Sequence, residues 1–282
     1  MTSVTVVGSI NVDLIFSAAR LPKPGETIGD AEFAIAPGGK GANQALAARR
    51  MGADVTMVGC VGQDVWADPA LELLRADDVV LEVESLEGRQ TGMAMIVVAA
   101  DGENQIVVAP GANDALDATR VKAPAADVLL CQLEVPTETV LTVSEHFAGE
   151  VIINAAPAAP FVPELLPTVG TLIVNESEYR LLEGALVAFE GIIITTLGSD
   201  GAVATQNGEP IARSQPPQVE PIDTVGAGDA FCGAYAVAVG EGATIESALQ
   251  LAVTAGSLAT TKAGAQPSLP TREEVLGAAF GS

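Results

Sequence analysis

Six short runs of apolar, largely β-branched residues recur along the chain, at 4–7, 55–58, 128–130, 151–153, 172–174 and 192–195. Each has the length of a strand and is apolar at consecutive positions, the pattern of a strand buried on both faces. Between several of them the apolar spacing widens to that of a helix. Helices are predicted over 41–51, closed by Gly52, over 65–76, and over 137–148 with Thr137 as its cap. Strands alternating with helices predict an α/β layered sandwich, a mostly parallel sheet covered on both sides. A single domain over 1–282 is expected.

Two stretches break this rhythm, 14–36 and 91–108. In the second, two strand-like runs flank Asp101-Gly102, a dipeptide suited to a tight hairpin. Together the two stretches are expected to form a small β-lid. From Val225 onward the chain is rich in Ala and Gly and apolar nearly all round, so helices there should be closely packed and buried.

Composition narrows the class. No apolar run free of charge and proline reaches the roughly 18 residues that cross a bilayer. The chain enters 4–7 without the basic region and cleavage site of a secretory signal, so a cytoplasmic location is expected. Cys60, Cys131 and Cys232 are far apart in apolar surroundings and read as buried thiols. A net charge of -23 argues against sequence-independent binding to nucleic acid.

Three segments carry chemistry. In Asp223-Thr224-Val225-Gly226-Ala227-Gly228-Asp229, a glycine-rich turn runs into the helical stretch 230–239. Unpaired amides at such a helix start, aided by the helix dipole, form a phosphate-sized anion site. Asp229 then lies in the first helical turn, either as a cap or beside the bound anion. Pro37-Gly38-Gly39-Lys40-Gly41-Ala42-Asn43-Gln44 is a second glycine-rich turn into a helix, where Lys40 and Asn43 offer groups for hydroxyls or phosphate. It is not a Walker loop, because positions 34 and 41 are Ala and Gly. No glycine fingerprint of a nicotinamide enzyme follows a strand. Third, Gly8-Ser9-Ile10-Asn11-Val12-Asp13 follows the first strand, where ligands of parallel sheets gather. Asn11 and Asp13 suit vicinal hydroxyls, or simply form a turn.

Taken in order, these motifs resemble the ribokinase family, also called the phosphofructokinase-B family of carbohydrate kinases, from Val4 to Ser268. The resemblance implies a central sheet flanked by helices, a β-lid over a sugar, and ATP-dependent phosphorylation of a sugar hydroxyl. It assigns the sugar to Asn11, Asp13, Gly38, Gly39, Lys40, Asn43 and Glu134, with Asp229 as catalytic base and Gly226, Ala227 and Gly228 as the anion hole. Asn175 and Glu178 match the motif that organises Mg²⁺ through water. Thr196, Leu197, Gly198, Ser199 and Gly201 resemble the ATP-contacting turn, with Asn175 and Gly228 also on the nucleotide side. Asp223, Val225, Ala259, Lys262, Gly264 and Ser268 resemble a monovalent-cation site for K⁺. The family's lid also implies a homodimer.

The chain departs from the family's pattern between Glu178 and Thr195, where 181–190 leaves little room for a full helix. The first glycine-rich turns, with Gly111-Ala112-Asn113, look most like ribokinase proper, making D-ribose the expected sugar and ribose 5-phosphate the product. Fructose, 2-keto-3-deoxygluconate or a nucleoside are alternatives within the family. A sugar or nucleotide sensor that has lost transfer is the alternative of another class.

Overall fold

The computed structural model describes residues 1–158 and 163–281. Among these residues a large sheet takes nine strands: β1 (Ser3–Val7), β4 (Asp54–Gly62), β5 (Val80–Leu86), β8 (Val128–Gln132), β9 (Glu150–Asn154), β10 (Thr171–Asn175), β11 (Ile192–Thr196), β12 (Ala202–Gln206) and β13 (Glu209–Ser214). Their order is β13-β12-β11-β10-β9-β8-β1-β4-β5. All neighbours are parallel except β11-β12 and β12-β13. A second sheet, ordered β3-β2-β6-β7, takes β2 (Asn11–Ala18), β3 (Glu32–Gly38), β6 (Gly92–Ala99) and β7 (Asn104–Ala109).

Alternation along the central strands supplies two cores. Val4, Val6, Val128, Leu130, Ile152 and Ile173 pack with α1 (Lys40–Arg50), α2 (Ala67–Ala76), α5 (Ala227–Gly240) and α6 (Ile245–Ala259). Their strand neighbours Val7, Leu129, Cys131, Ile153 and Leu172 point the other way, towards α3 (Thr137–Glu145) and α4 (Glu176–Leu186). The result is a three-layer sandwich, closed at its carboxyl-terminal end by α7 (Ala265–Ser268) and α8 (Arg272–Phe280). No described helix is long and apolar enough to cross a membrane.

Every apolar run read as a strand forms one. Two local expectations need correcting, and one hairpin escaped the sequence reading. Thr137 does not cap α3, because Pro136 holds the capping position and Thr137 is already helical. The segment before β11 has room for a helix of 11 residues, since α4 starts directly after β10 at Glu176. The antiparallel hairpin β12-β13 went unread, although Asn207 and Gly208, both at positive φ, form its turn.

The strand order fixes where a ligand can sit. From β1 the chain moves outward to β4 and β5, then returns to place β8 on the other side of β1. A crevice opens at such a reversal, outside the carboxyl ends of the strands. Here those ends are Gly8-Ser9 and Gln132-Leu133-Glu134.

Candidate active site

The Ser9 hydroxyl donates to Glu134 across this crevice, and the Lys40 amide donates to the same carboxylate at 3.1 Å. Asn113 accepts from the Ile10 amide at 2.9 Å and donates to Asn11 Oδ1 at 2.8 Å, so the entry into β2 is held on two successive residues. From it β2 runs into the second sheet, carrying Asn11 and Asp13, both nearly buried. Gly38, opposite on β3, lies flush against the Asp13 carboxylate, with no room for a Cβ. Gly39 has a φ of 89°, and a Cβ there would come 2.7 Å from the Asn11 amide. Only glycine lets the chain turn so closely into α1.

Helix α1 delivers Lys40, Asn43 and Gln44, and α5 delivers Asp229. The two helices approach closely because Gly233 on α5 packs against the α1 backbone, where a Cβ would lie 2.7 Å from Ala48 N. Asn43 Nδ2 donates to Asp229 Oδ2 at 2.8 Å and Gln44 Nε2 to Oδ1 at 2.9 Å. Asp229 therefore joins the amino-terminal polar cluster, and its side chain does not cap α5, whose capping residue is Gly226 at φ 81°. Asn43 Oδ1 is buried with no partner among the described residues. A buried carbonyl oxygen left so is poised to accept from a ligand's hydroxyl.

Electrostatics sharpen the picture. Burial raises the Asp229 carboxyl above its usual range, Lys40 and the two amides pull it back only in part, and Glu134 adds to the rise. A helix amino terminus favours the ionised form of a carboxylate, and here burial outweighs it. Asp13 is pushed to about 7 by burial, then by Glu134 and Asp229. Burial works against the Lys40 ammonium, but Asp229, Glu134 and Glu178 together hold it above its ordinary value.

On the other side of the 226–228 turn lies a cavity of about 770 Å³. Thr196, Gly198, Ser199 and Gly201 form one wall, Ala227 and Gly228 another, and Phe231 and Val253 an apolar part. Leu197 is not in the lining, and its amide closes the turn onto Gly201 O at 2.8 Å. Within the anion turn the Ala227 amide already donates to Thr224 O at 3.3 Å, whereas those of Gly226 and Gly228 have no acceptor among the described residues.

Two further expected sites rest on other elements. Asn175 and Glu178 bond one another as a capping box for α4. Only Oε2 of Glu178 is used there, so Oε1 can still reach a hydrated cation. Asp223 accepts from the amides of Val225 at 3.0 Å and Gly264 at 2.8 Å, stitching the loop before α5 to the loop after α6. Its remaining lone pairs are oxygen donors of the kind a hard cation takes. The Lys262 side chain is turned to Glu274, 3.0 Å away, so it would offer only its carbonyl. Ser268 is fully buried, its hydroxyl donating to Ala265 O.

Residues 1–272 match the pfkB family of carbohydrate kinases. The chain belongs to this family. Ribokinase of Bacillus subtilis is 39% identical, with 98% of each chain covered. Among solved structures, ribokinase of Thermotoga maritima superposes with a TM-score of 0.89 at 32% identity, covering 98% of each chain. Arabidopsis thaliana ribokinase, solved with ribose and ATP, gives 0.88 at 32% identity and covers 100% of this chain and 99% of its own. As a pfkB carbohydrate kinase, the chain is an ATP-dependent phosphotransferase acting on a sugar.

Three residues of the polar cluster escaped the motif reading: Gln44, Gln132 and Asn154. Each is an amide in an apolar stretch, at a strand's carboxyl end or in an otherwise Ala-rich helix. That contrast was the available signal, since a buried amide in apolar surroundings needs partners.

Proposed function

We propose that this pfkB kinase transfers the γ-phosphoryl group of ATP to the primary hydroxyl of D-ribose, giving ribose 5-phosphate and ADP. One observation carries the reading. The turn at 226–229 walls the large cavity on one side and on the other sets the Asp229 carboxylate against Asn43 of the amino-terminal cluster. Donor and acceptor thus meet across a single turn. The ribokinase names of the relatives at 32–39% identity support ribose.

In this reading Asn11, Asp13, Gly38, Gly39, Asn43 and Glu134 hold the sugar, and Asn43 Oδ1 accepts from one of its hydroxyls. ATP lies in the cavity along Thr196 to Gly201. Asp229 takes the proton as the sugar oxygen attacks phosphorus. Burial raises its pKa, which makes the carboxylate a stronger base. The free amides of Gly226 and Gly228, with the Lys40 ammonium, meet the charge on the transferring group, and alignment supplies much of the rest. When bound, Mg²⁺ supplies neutralisation of phosphate charge, and Asn175 and Glu178 are the residues that would hold it through water. K⁺ would be held by the oxygens of Asp223, Val225, Ala259, Lys262, Gly264 and Ser268.

A homodimer and a cytoplasmic location belong to the same reading. Phe33, Ile35, Met95 and Val107 lie on one face of the second sheet and are all exposed, an apolar patch suited to a second copy. The sheet acts as the lid over the sugar. Three free, buried cysteines suit a reducing compartment.

The test is a coupled ADP-release assay with ribose, fructose, 2-keto-3-deoxygluconate and a set of nucleosides. The highest kcat/KM is expected with ribose. Dominant turnover of a nucleoside would overturn the choice of sugar, and calorimetric binding of ribose and ATP without ADP formation would make the protein a sensor.

A further inference from the structure

We infer that Gln44 is a positioning residue for phosphoryl transfer: its side-chain amide, oriented by Gln132 and Asn154, fixes the Asp229 carboxylate so that Oδ2, beside Asn43, takes the substrate proton. The inference rests on the reading of Asp229 as the base.

The geometry is a chain of amides across four elements. Gln132 Nε2, at the end of β8, donates to Gln44 Oε1 at 2.7 Å. Gln44 Nε2 carries two hydrogens. One goes to Asp229 Oδ1 at 2.9 Å and the other to Asn154 Oδ1, at the end of β9, at 3.1 Å. Asn154 Nδ2 in turn donates to Ile173 O at 3.3 Å.

That last bond sets the direction of the whole chain. A backbone carbonyl can only accept, so Asn154 must present Nδ2 to it and Oδ1 to Gln44. Gln44 must then present Nε2 to both Asn154 and Asp229, and its Oε1 to Gln132. The opposite orientation of Gln44 would set its oxygen against two acceptors and its nitrogen against the Gln132 donor. The network, rather than a choice of rotamer, decides which end of the amide meets the base.

Gln44 and Gln132 are fully buried, and Asp229 and Asn154 nearly so. Such a chain is costly where it is incomplete, so filling the same space with an apolar side chain would be the simpler way to pack α1 against the sheet. The donor is spent instead on one oxygen of the base. Oδ1 is held from the protein side and Oδ2 is left on the side of Asn43, whose own Oδ1 awaits a hydroxyl. A carboxylate held at both oxygens cannot swing, and an error of ~1 Å at a reacting group costs on the order of 10²-fold in rate.

Lys40 from α1, Asp13 from β2, Glu134 beyond β8, Cys232 one turn on in α5, and Glu178, which acts on Lys40, are the other charged or titratable groups around Asp229. All are untouched by substitution at 44, so a change in the pH profile there reports on the amide itself.

The experiment measures kcat and both KM values over about pH 5 to 9 for the native chain, Gln44→Leu, Gln44→Glu and Gln132→Leu. For Gln44→Leu, kcat should fall about 10²-fold. The KM for ATP should stay within about twofold, and the acid limb of kcat should move to higher pH as Oδ1 loses its donor. Gln44→Glu keeps the shape but sets a second carboxylate beside Oδ1, so its limb should move further in the same direction. Should Gln44→Leu fail to fold by circular dichroism, Gln132→Leu decides, since it takes the donor from Gln44 Oε1, loosens the amide against Asp229 and should shift the limb the same way by less. Native kcat, or losses of kcat with an unmoved acid limb in the folded variants, would overturn the inference. A native chain that turns over no sugar would instead sink the assignment of Asp229, and this inference with it.

Discussion

Asp229 and Asp13 occupy one polar cluster yet answer to different demands. In its proposed role as base, Asp229 should be hard to replace: Asp229→Asn is expected to lower kcat by about 10²–10⁴-fold while leaving ATP affinity nearly unchanged, as read by steady-state kinetics and calorimetry. Asp13 has a second signature in stability. Its carboxyl rises from 3.8 to about 7 on folding, so between these values the folded chain keeps a proton that the unfolded chain releases. The folding cost of its charge is therefore absent below the lower value, grows as pH rises, and is fully present above the higher one. Replacing Asp13 by Asn should stabilise the fold by about 2–4 kcal/mol near pH 8 and by little near pH 4, in urea titrations, while raising the KM for ribose. The glycine-rich turns pointed to Asn43 and Asp229, because a turn that needs several glycines announces a close approach to something. Gln44 and Asn154 announce only that a buried amide needs partners, not which ones. Their roles arise from contacts 110 and 185 positions apart in the chain.

Among the elements, α1 and α5 matter most, because their contact brings the two halves of the site together. Gly233 permits that contact, and Gly233→Val should wedge the helices apart. The expected cost is about 1–3 kcal/mol, seen as a lower Tm, with a fall in kcat as Asn43 and Gln44 lose their reach to Asp229. Gly228 offers the opposite case. A Cβ there meets no atom within 4 Å, and the residue sits in the first turn of α5 on the cavity wall. Gly228→Ala should leave the Tm unchanged or higher, by helix propensity, yet raise the KM for ATP roughly tenfold where its methyl group occupies phosphate space. The two glycines look alike in the sequence, and neighbours alone separate packing from binding. Helix α4 shows how the reverse error arises. The span before β11 looked too short only because the helix was not expected to begin at the strand's last residue, where the Asn175-Glu178 capping box starts it at once.

At the scale of the whole molecule, the second sheet presents an apolar face that the single chain leaves uncovered. Native protein should sediment as a dimer and Met95→Asp as a monomer, since Met95 lies in register with Ile35 across β2 through Leu14 and beside Val107. A native monomer at micromolar concentration would count against the lid as the interface. The sequence by itself determined the layered α/β class, the six central strands and the glycine-rich turn into α5, because these follow from short-range periodicity and from backbone conformations few residues can adopt. It left the β12-β13 hairpin unread despite its Asn-Gly turn, because short, partly exposed strands carry a weak apolar pattern. Only the tertiary structure decided that the carboxyl ends of β1, β8 and β9 and the starts of α1 and α5 converge, and that Asp229 bonds Asn43 and Gln44 rather than capping its own helix. The physical reason is that burial and long-range hydrogen bonding, which set the character of Asp229, depend on neighbours that adjacency along the chain does not reveal.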